Sequence, residues 1–202
     1  MNRAKAAFFD SETESDWSSK AYTTEELRKI ERILEAAELK RGDMVVEPGC
    51  GTGRLTKLIA EKVGGSGIVI ASDVSPRMLE QSRIRLNGFA NVHLFHEAIE
   101  KVPLVLQTID VALCHNVFPH FDHKPLVVAK LVEALKSDGR FIVSHFMPSS
   151  WVNSLHRKTN PAVASDLLPD QENMTQLFDE VGMQIQELID DDRGYLLKAV
   201  FK

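Results

Sequence analysis

Met44-Val45-Val46-Glu47-Pro48-Gly49-Cys50-Gly51-Thr52-Gly53-Arg54-Leu55-Thr56 holds the densest information in the chain. An apolar run, Met44 to Val46, ends in a carboxylate, Glu47. Glycines follow at alternate positions, 49, 51 and 53, and a helix-compatible segment begins at Arg54. This order reads as a buried strand, a tight loop and a helix N-terminus. Glycine is required where the backbone takes φ > 0 or where a ligand comes closer than a Cβ permits. The first turn of a helix leaves N–H groups unpaired and carries a partial positive charge, so an anionic group is favoured there. A dinucleotide loop of the type Gly-x-Gly-x-x-Gly wants its third glycine where helix packs on strand. Arg54 stands at that position, so a dinucleotide fits incompletely.

Outward from this loop, helical and strand patterns alternate. Thr23 and Glu26 form a capping box, and Leu27, Ile30, Ile33, Leu34 and Ala37 recur at helical spacing, which predicts a helix over 24–38. A strand over 44–47 precedes the glycine loop, and a helix over 54–63 follows it, closed by Gly64-Gly65. The second strand, Ile68 to Ser72, ends in Asp73; Ser75 then caps a helix with Pro76 in its first turn, closed by Gly88. Val92 to Phe95 and Ile109 to Cys114 read as strands three and four. A helix over 124–136, with Leu126, Leu131 and Leu135 as its apolar stripe, and a turn at Asp138-Gly139 lead to strand five, Arg140 to His145. Residues 147–170 are broken by Pro148, Pro161 and Pro169, with Trp151, Leu155 and Leu167-Leu168 supplying apolar grip. A helix over 171–181 and two strands, Met183 to Ile189 and Tyr195 to Phe201, joined by a hairpin turn, complete the chain.

Strand–helix alternation with right-handed crossovers gives a mostly parallel sheet covered by helices on both faces. The closing hairpin puts an antiparallel strand into it. The fold class is therefore α/β, Rossmann-like, and 202 residues suffice for a single domain over 1–202 with a full core. A net charge of -5 without a polybasic cluster argues against a nucleic-acid surface. No apolar run is long enough to span a bilayer, and Met1 to Asp10 lack the apolar core of a signal peptide. Cys50 and Cys114 make no Cys-x-x-Cys pair and no disulfide framework, so a reducing cytoplasm is the expected setting. Asp73, 20 residues after Gly53, closes the second strand, where nucleoside-binding sheets place an acid to accept from a ribose diol.

The pattern Glu47-x-Gly49-x-Gly51-x-Gly53 resembles motif I of the class I S-adenosylmethionine-dependent methyltransferases, of the small-molecule type. Glu97-Ala98 after strand three resembles the family's adenine-reading pair, with Glu where Asp is commoner. Cys114-His115-Asn116-Val117-Phe118-Pro119-His120 resembles its motif after strand four, and Leu135-Lys136-Ser137-Asp138-Gly139-Arg140 its entry into strand five. The resemblance covers about residues 24–146 and 171–202. It implies a seven-stranded sheet with a C-terminal antiparallel hairpin, S-adenosyl-L-methionine as cofactor and S-adenosyl-L-homocysteine as product. Glu47, Gly49, Cys50, Gly51 and Gly53 would then hold the methionine end, Asp73 the ribose, Val74 and Met78 the adenine face, and Glu97 and Ala98 the adenine edge, with His115 also against the cofactor. It also implies that 1–22, with Phe8, Phe9, Trp17 and Tyr22, is a lid, and that 147–170 is a substrate cap; read from composition alone, they are a frayed terminus and a surface loop.

Five histidines are candidates for one pocket at the carboxyl edge of the sheet: His115, His120 and His123 in one loop, His145 at the end of strand five and His156 in the cap. Three readings stand side by side. A neutral imidazole is a good base near pH 7, and His120 matches the family's histidine, with His115, His145 and His156 behind it. Two or three of them could bind a divalent metal with Asp122, Asp166 or Asp170, although the spacing is not diagnostic. Most could also be polar loop residues; no metal ligand is assigned. The activity expected is methyl transfer to a small-molecule acceptor by a monomer or homodimer. A non-catalytic nucleoside-binding regulatory module and a NAD-dependent oxidoreductase are the alternatives.

Overall fold

In the computed structural model, which describes residues 2–202, the N-terminal segment forms two short helices, α1 (Arg3–Ser11) and α2 (Asp16–Ser19). The capping box then starts α3 (Thr24–Ala36) as expected: Thr23 Oγ1 accepts from the Glu26 N–H at 3.2 Å, and Glu26 Oε2 accepts from the Thr23 N–H at 2.7 Å. Its buried stripe is Ile30, Ile33 and Ala37, whereas Leu27 is exposed. Strand β1 (Met44–Pro48), helix α4 (Arg54–Val63), strand β2 (Ile68–Ser72), helix α5 (Pro76–Arg85) and strand β3 (Val92–Phe95) follow the sequence pattern. After β4 (Ile109–His115), a 3-10 turn over Phe118–His120 leads to α6 (Lys124–Ala134).

Strand β5 (Leu135–His145) starts earlier than the sequence suggested. Leu135 pairs with Ile109 and Arg140 with Val111, so Asp138-Gly139 lies in a wide bulge within the strand. The apolar stripe of α6 also needs correction: Val127, Val128 and Leu131 are buried, while Leu126 is exposed at the rim of the cavity described below. Residues 147–170 are more regular than expected, because α7 (Ser149–Lys158) occupies nearly half of them. Trp151 and Leu155 face outward, and the segment is held by Val152, Val163 and Leu168 instead. Helix α8 (Gln171–Asp179) and the hairpin β6 (Met183–Asp191) and β7 (Gly194–Phe201) complete the fold.

The sheet has seven strands in the order β3-β2-β1-β4-β5-β7-β6. β1 to β5 run parallel, and β7 is antiparallel to both neighbours. Adjacent strand residues point to opposite faces, so Val45 joins one core and Val46 the other. The first core packs α3 and α4 through Ile33, Leu55 and Ile59; the second packs α6 and α8 through Leu131, Met174 and Phe178. Each fully buried Leu, Ile or Phe side chain is worth about 1.5–3 kcal/mol relative to exposure. Chain order reverses between β1 and β4, which opens a crevice at the carboxyl ends of those strands. Among the described residues, no helix is long and apolar enough to cross a membrane.

Candidate active site

A cavity of about 460 Å³ opens at this reversal point. It lies within the range of small-ligand pockets, about 300–1,000 Å³. The glycine loop forms its floor, and the three glycines there serve different ends. At Gly49, φ is +66° and a Cβ would sit 2.3 Å from Val117 Cγ2, so the close approach of the loop after β4 requires glycine. At Gly51, φ is +54° and a Cβ would meet nothing within 4 Å, because this residue faces the open cavity. Gly53 was expected to touch a ligand but does not line the cavity; a Cβ there would lie 2.6 Å from Ser82 Oγ on α5. Its role is to let α4 and α5 pack.

Glu47 ends β1 beneath this loop and is buried. Its Oε2 has no hydrogen-bond partner among the described residues. Burial raises its pKa to about 8 against the opposing pull of the Thr56 hydroxyl, and the nearby Asp73 adds to the rise. An acid in this state is short of a cationic or hydrogen-donating partner. Asp73 is also buried and on the cavity, but its first task is structural. Its Oδ2 accepts from the Gly51 N–H at 2.8 Å and its Oδ1 from the Ser75 N–H at 2.9 Å. Burial raises its pKa, opposed by these backbone donors. A carboxylate has about four lone-pair sites, so both oxygens retain capacity for a further donor. Val74, Met78, Glu97 and Ala98 line the cavity beside Asp73, and Cys50 lines its floor.

The opposite wall is built from residues far apart in sequence. The two ring nitrogens of His115 are both engaged, Nδ1 with Ser144 Oγ at 2.9 Å and Nε2 with Asn116 Nδ2 at 3.1 Å. Burial lowers its pKa to about 3. His115 borders the cavity but has no free nitrogen to act as a base. His145 is buried, lies off the cavity, and has its Nε2 without a partner among the described residues. His156 is likewise off the cavity; its Nδ1 meets the Asp166 carbonyl. His123 lies on the cavity rim. His120 alone joins the cavity to a carboxylate: its Nδ1 lies 2.8 Å from Asp166 Oδ2.

Asp122 and Asp166 both turn to Lys5 of α1, whose Nζ lies 2.8 Å from Oδ1 of each and 2.8 Å from the His120 carbonyl. Asp170 caps α8 through the Asn173 N–H. Among the described residues, no group of three His, Cys, Asp or Glu converges as metal ligands would. The N-terminal segment also reaches across to the glycine-loop side. Asp10 accepts from Ser75 Oγ at the start of α5, and the Trp17 and Ser18 carbonyls accept from Arg54 and Thr52. The Arg54 guanidinium also stacks on Tyr22, 3.7 Å from the ring centroid.

Lys5, Asp10 and Arg54 were not foreseen as site-builders. A lysine in a short polar helix carries no local pattern that marks it as buried, and Arg54 was weighed only as a missing glycine. Asn116 did carry a signal in part: with φ +53° it turns the chain after β4, and asparagine tolerates that region. Trp151 and His156, expected to shape the acceptor side, do not reach the cavity, because α7 turns the first to solvent and the second behind His120.

A family described as a methyltransferase domain matches residues 39–189. A ubiquinone/menaquinone biosynthesis C-methyltransferase of Methylococcus capsulatus is 30% identical over 139 residues, 67% of this chain and 55% of that protein. The chain spans about half the length of the curated relatives of this type that it matches. Two solved structures overlay the whole chain. Magnesium protoporphyrin IX methyltransferase from Synechocystis, with bound S-adenosylhomocysteine, has a TM-score of 0.75 at 17% identity, covering 100% of this chain and 99% of that one. Geranyl diphosphate C-methyltransferase from Streptomyces coelicolor, in complex with Mg2+, geranyl diphosphate and S-adenosyl-L-homocysteine, has a TM-score of 0.77 at 11% identity, covering 100% and 98%. At such identities the likeness is one of fold. The seven-stranded sheet and the family match over well more than half its length make this chain a member of the methyltransferase-domain family.

Proposed function

We propose that the chain transfers a methyl group from S-adenosyl-L-methionine to a small-molecule acceptor. The observation that carries this reading is the buried, partnerless Oε2 of Glu47 beneath a glycine loop whose Gly51 leaves open space. An ammonium group answers the first, and a carboxylate near the bare N-terminus of α4 answers the second. Glu47, Gly49, Cys50 and Gly51 would hold the amino-acid end; Asp73 would accept from the ribose, Val74 and Met78 would flank the adenine, and Glu97 with Ala98 would read its edge. All of these side chains and backbone groups line one cavity. When bound, the cofactor supplies an activated methyl on a positively charged sulfur. The protein then has to orient the acceptor and exclude water, which alone can be worth roughly 7–11 kcal/mol.

Residues 1–22 act in this reading as a lid, with α2 pinned over the loop by Thr52, Arg54 and Arg85, and α1 by the bond from Ser75 to Asp10. Residues 147–170 are a cap that reaches the site through Asp166 and His156, both set against His120. His120 faces the acceptor. The net charge of -5 and the two free cysteines agree with a small-molecule enzyme of a reducing cytoplasm, acting without nucleic acid or membrane, as a monomer or homodimer. Calorimetric titration with S-adenosylhomocysteine and with NAD tests the cofactor. Micromolar binding of the first and none of the second is expected; the reverse would refute the assignment.

A further inference from the structure

Three segments that share no sequence neighbourhood meet at His120. The loop after β4 contributes the ring, the stretch after α7 contributes Asp166, and α1 contributes Lys5. The contacts are short, and the groups are largely out of solvent: side-chain exposure is 13% for His120, 7% for Asp166 and 8% for Lys5. Asp166 uses its oxygens separately, Oδ2 for His120 and Oδ1 for Lys5, both at 2.8 Å. A carboxylate at Nδ1 fixes the tautomer, because an ionised acid can only accept. The proton therefore sits on Nδ1, and the lone pair is on Nε2, at the other edge of the ring.

Nε2 of His120 has no protein partner among the described residues, and it is not among the atoms sealed from solvent. Phe9 packs edge-on against the ring at 5.0 Å, and His120 lines the cavity. The remaining charged or titratable groups that face it are His156 at 4.7 Å between ring centroids, the buried His145, Asp122 and Lys5. Burial, His156 and Lys5 lower the pKa of His120, outweighing the opposing pull of Asp166. Burial works to raise the pKa of Asp166, but His120 and Lys5 together hold it below the ordinary value. The pair thus rests as neutral imidazole and carboxylate near pH 7.

We propose that Asp166 orients His120 as the proton acceptor of the site, and that the methyl acceptor is accordingly a small molecule bearing a hydroxyl or similarly weak acid that must give up its proton on methylation. This inference rests on the methyl-transfer reading above. In the step, the acceptor heteroatom forms the new bond to the methyl carbon while its proton passes to His120 Nε2. The carbon–sulfur bond breaks, and its electron pair stays on sulfur, which becomes a neutral thioether. His120 then returns the proton to water. A tertiary amine or a preformed thiolate has no proton to give and would leave the pair idle. Asp166 is a positioning residue, and Lys5 keeps it ionised when α1 is docked.

Two measurements on the full chain test this. Long-range proton–nitrogen NMR on the unliganded protein reads the His120 tautomer without any turnover. We expect neutral Nδ1–H imidazole at pH 7.5, shifting toward the Nε2–H form in Asp166→Asn. Imidazolium or Nε2–H in the unsubstituted protein would overturn the proposal. S-adenosylhomocysteine formation is then followed with catechol, aliphatic alcohols, thiophenol and N,N-dimethylaniline as acceptor probes. Turnover of a hydroxyl probe is expected, with His120→Gln lowering kcat by about 10²–10⁴-fold at little cost in KM. Asp166→Asn should lower kcat less and move the acidic limb of the pH profile to lower pH, because the partner that raises the His120 pKa is gone; Asp166→Glu should restore part of the rate. Turnover confined to the amine or the thiol, or a His120→Gln kcat within threefold of the parent, would overturn it. Failure of S-adenosylhomocysteine to bind would instead refute the cofactor reading and leave the tautomer result standing.

Discussion

The two walls of the cavity are held in different ways. The glycine-loop wall is set by backbone: β1, β2 and β4 place Glu47, Gly51 and Asp73 at one sheet edge, and main-chain amides lock the Asp73 carboxylate. The facing wall is set by side chains reaching between segments, with Lys5 spanning to His120, Asp122 and Asp166. A wall tied into a sheet fails only when the sheet is disturbed. A wall assembled from ion pairs can come apart locally while the core persists.

The harshest way to break this contrast is Asp73→Ala. It strands the Gly51 and Ser75 amides in a buried setting, and hydrogen bonds to a charged group are worth about 1.5–3 kcal/mol each. We expect about 2–4 kcal/mol of lost stability in urea unfolding and at least about a hundredfold weaker S-adenosylhomocysteine binding by calorimetry. An effect on binding with unchanged stability would show that Asp73 serves the ligand and not the loop.

That double duty explains what was legible in the sequence. Glycines at 49, 51 and 53, an acid at 47 and an acid after the second strand lie close along the chain, so local spacing exposed them. The same spacing could not separate Gly53, which packs on Ser82, from Gly51, which faces the cavity. The seven strands were readable because each carries an apolar run bounded by turn residues. The bulge in β5 was not, because Leu135 pairs with Ile109 only through tertiary register. Lys5 and Arg54 were hidden for the same reason, and Asp166 was visible only as a possible metal ligand and not as the partner of His120: each acts on a residue more than 30 positions away. Trp151 misled because size suggests burial, whereas α7 turns that position to solvent.

Glu47 sharpens the contrast on the first wall. Its folded pKa, about 8, lies above the ordinary 4.5, so the folded state binds this proton more tightly than the unfolded chain does. Its contribution to stability is full below pH 4.5 and is lost as pH rises through about 8. Glu47→Gln should therefore remove part of the decline in melting temperature across that window. A cationic ligand group beside Glu47 would favour the carboxylate, so S-adenosylhomocysteine binding near pH 7 should release a proton in the parent and release less in Glu47→Gln. Titrations in buffers of different ionisation enthalpy read this directly.

Lys5→Met probes the second wall. The buried ammonium bridges two carboxylates and a carbonyl, and its loss leaves Asp166 without one of its two partners. We expect about 1–3 kcal/mol less protection of α1 and α2 in hydrogen exchange, with the amides of β1, β4 and β5 unchanged. The pKa of Asp166 should rise toward the ordinary value, since Lys5 helps hold it down. Uniform loss of protection through the sheet would mean that the two walls unfold as one unit.

The smallest expected effect sits in the cap, where size and burial point in opposite directions. Trp151 is the larger side chain, yet it is 47% exposed, while its neighbour Val152 is 5% exposed and joins the core with Leu168 and Phe178. Truncation costs stability according to the packed volume it removes from the interior, and substitutions at exposed positions usually stay within about 0.5 kcal/mol. Trp151→Ala should fall inside that margin, and Val152→Ala should cost about 1–2 kcal/mol, since it deletes buried methyl groups. Asn153 ties the same helix to the Leu168 backbone by two hydrogen bonds, so a loosened Val152 should also loosen the approach to Asp166. If Trp151→Ala proved the costlier change, a partner would have to cover that indole, and α7 would be an interface instead of the outer layer of the cap.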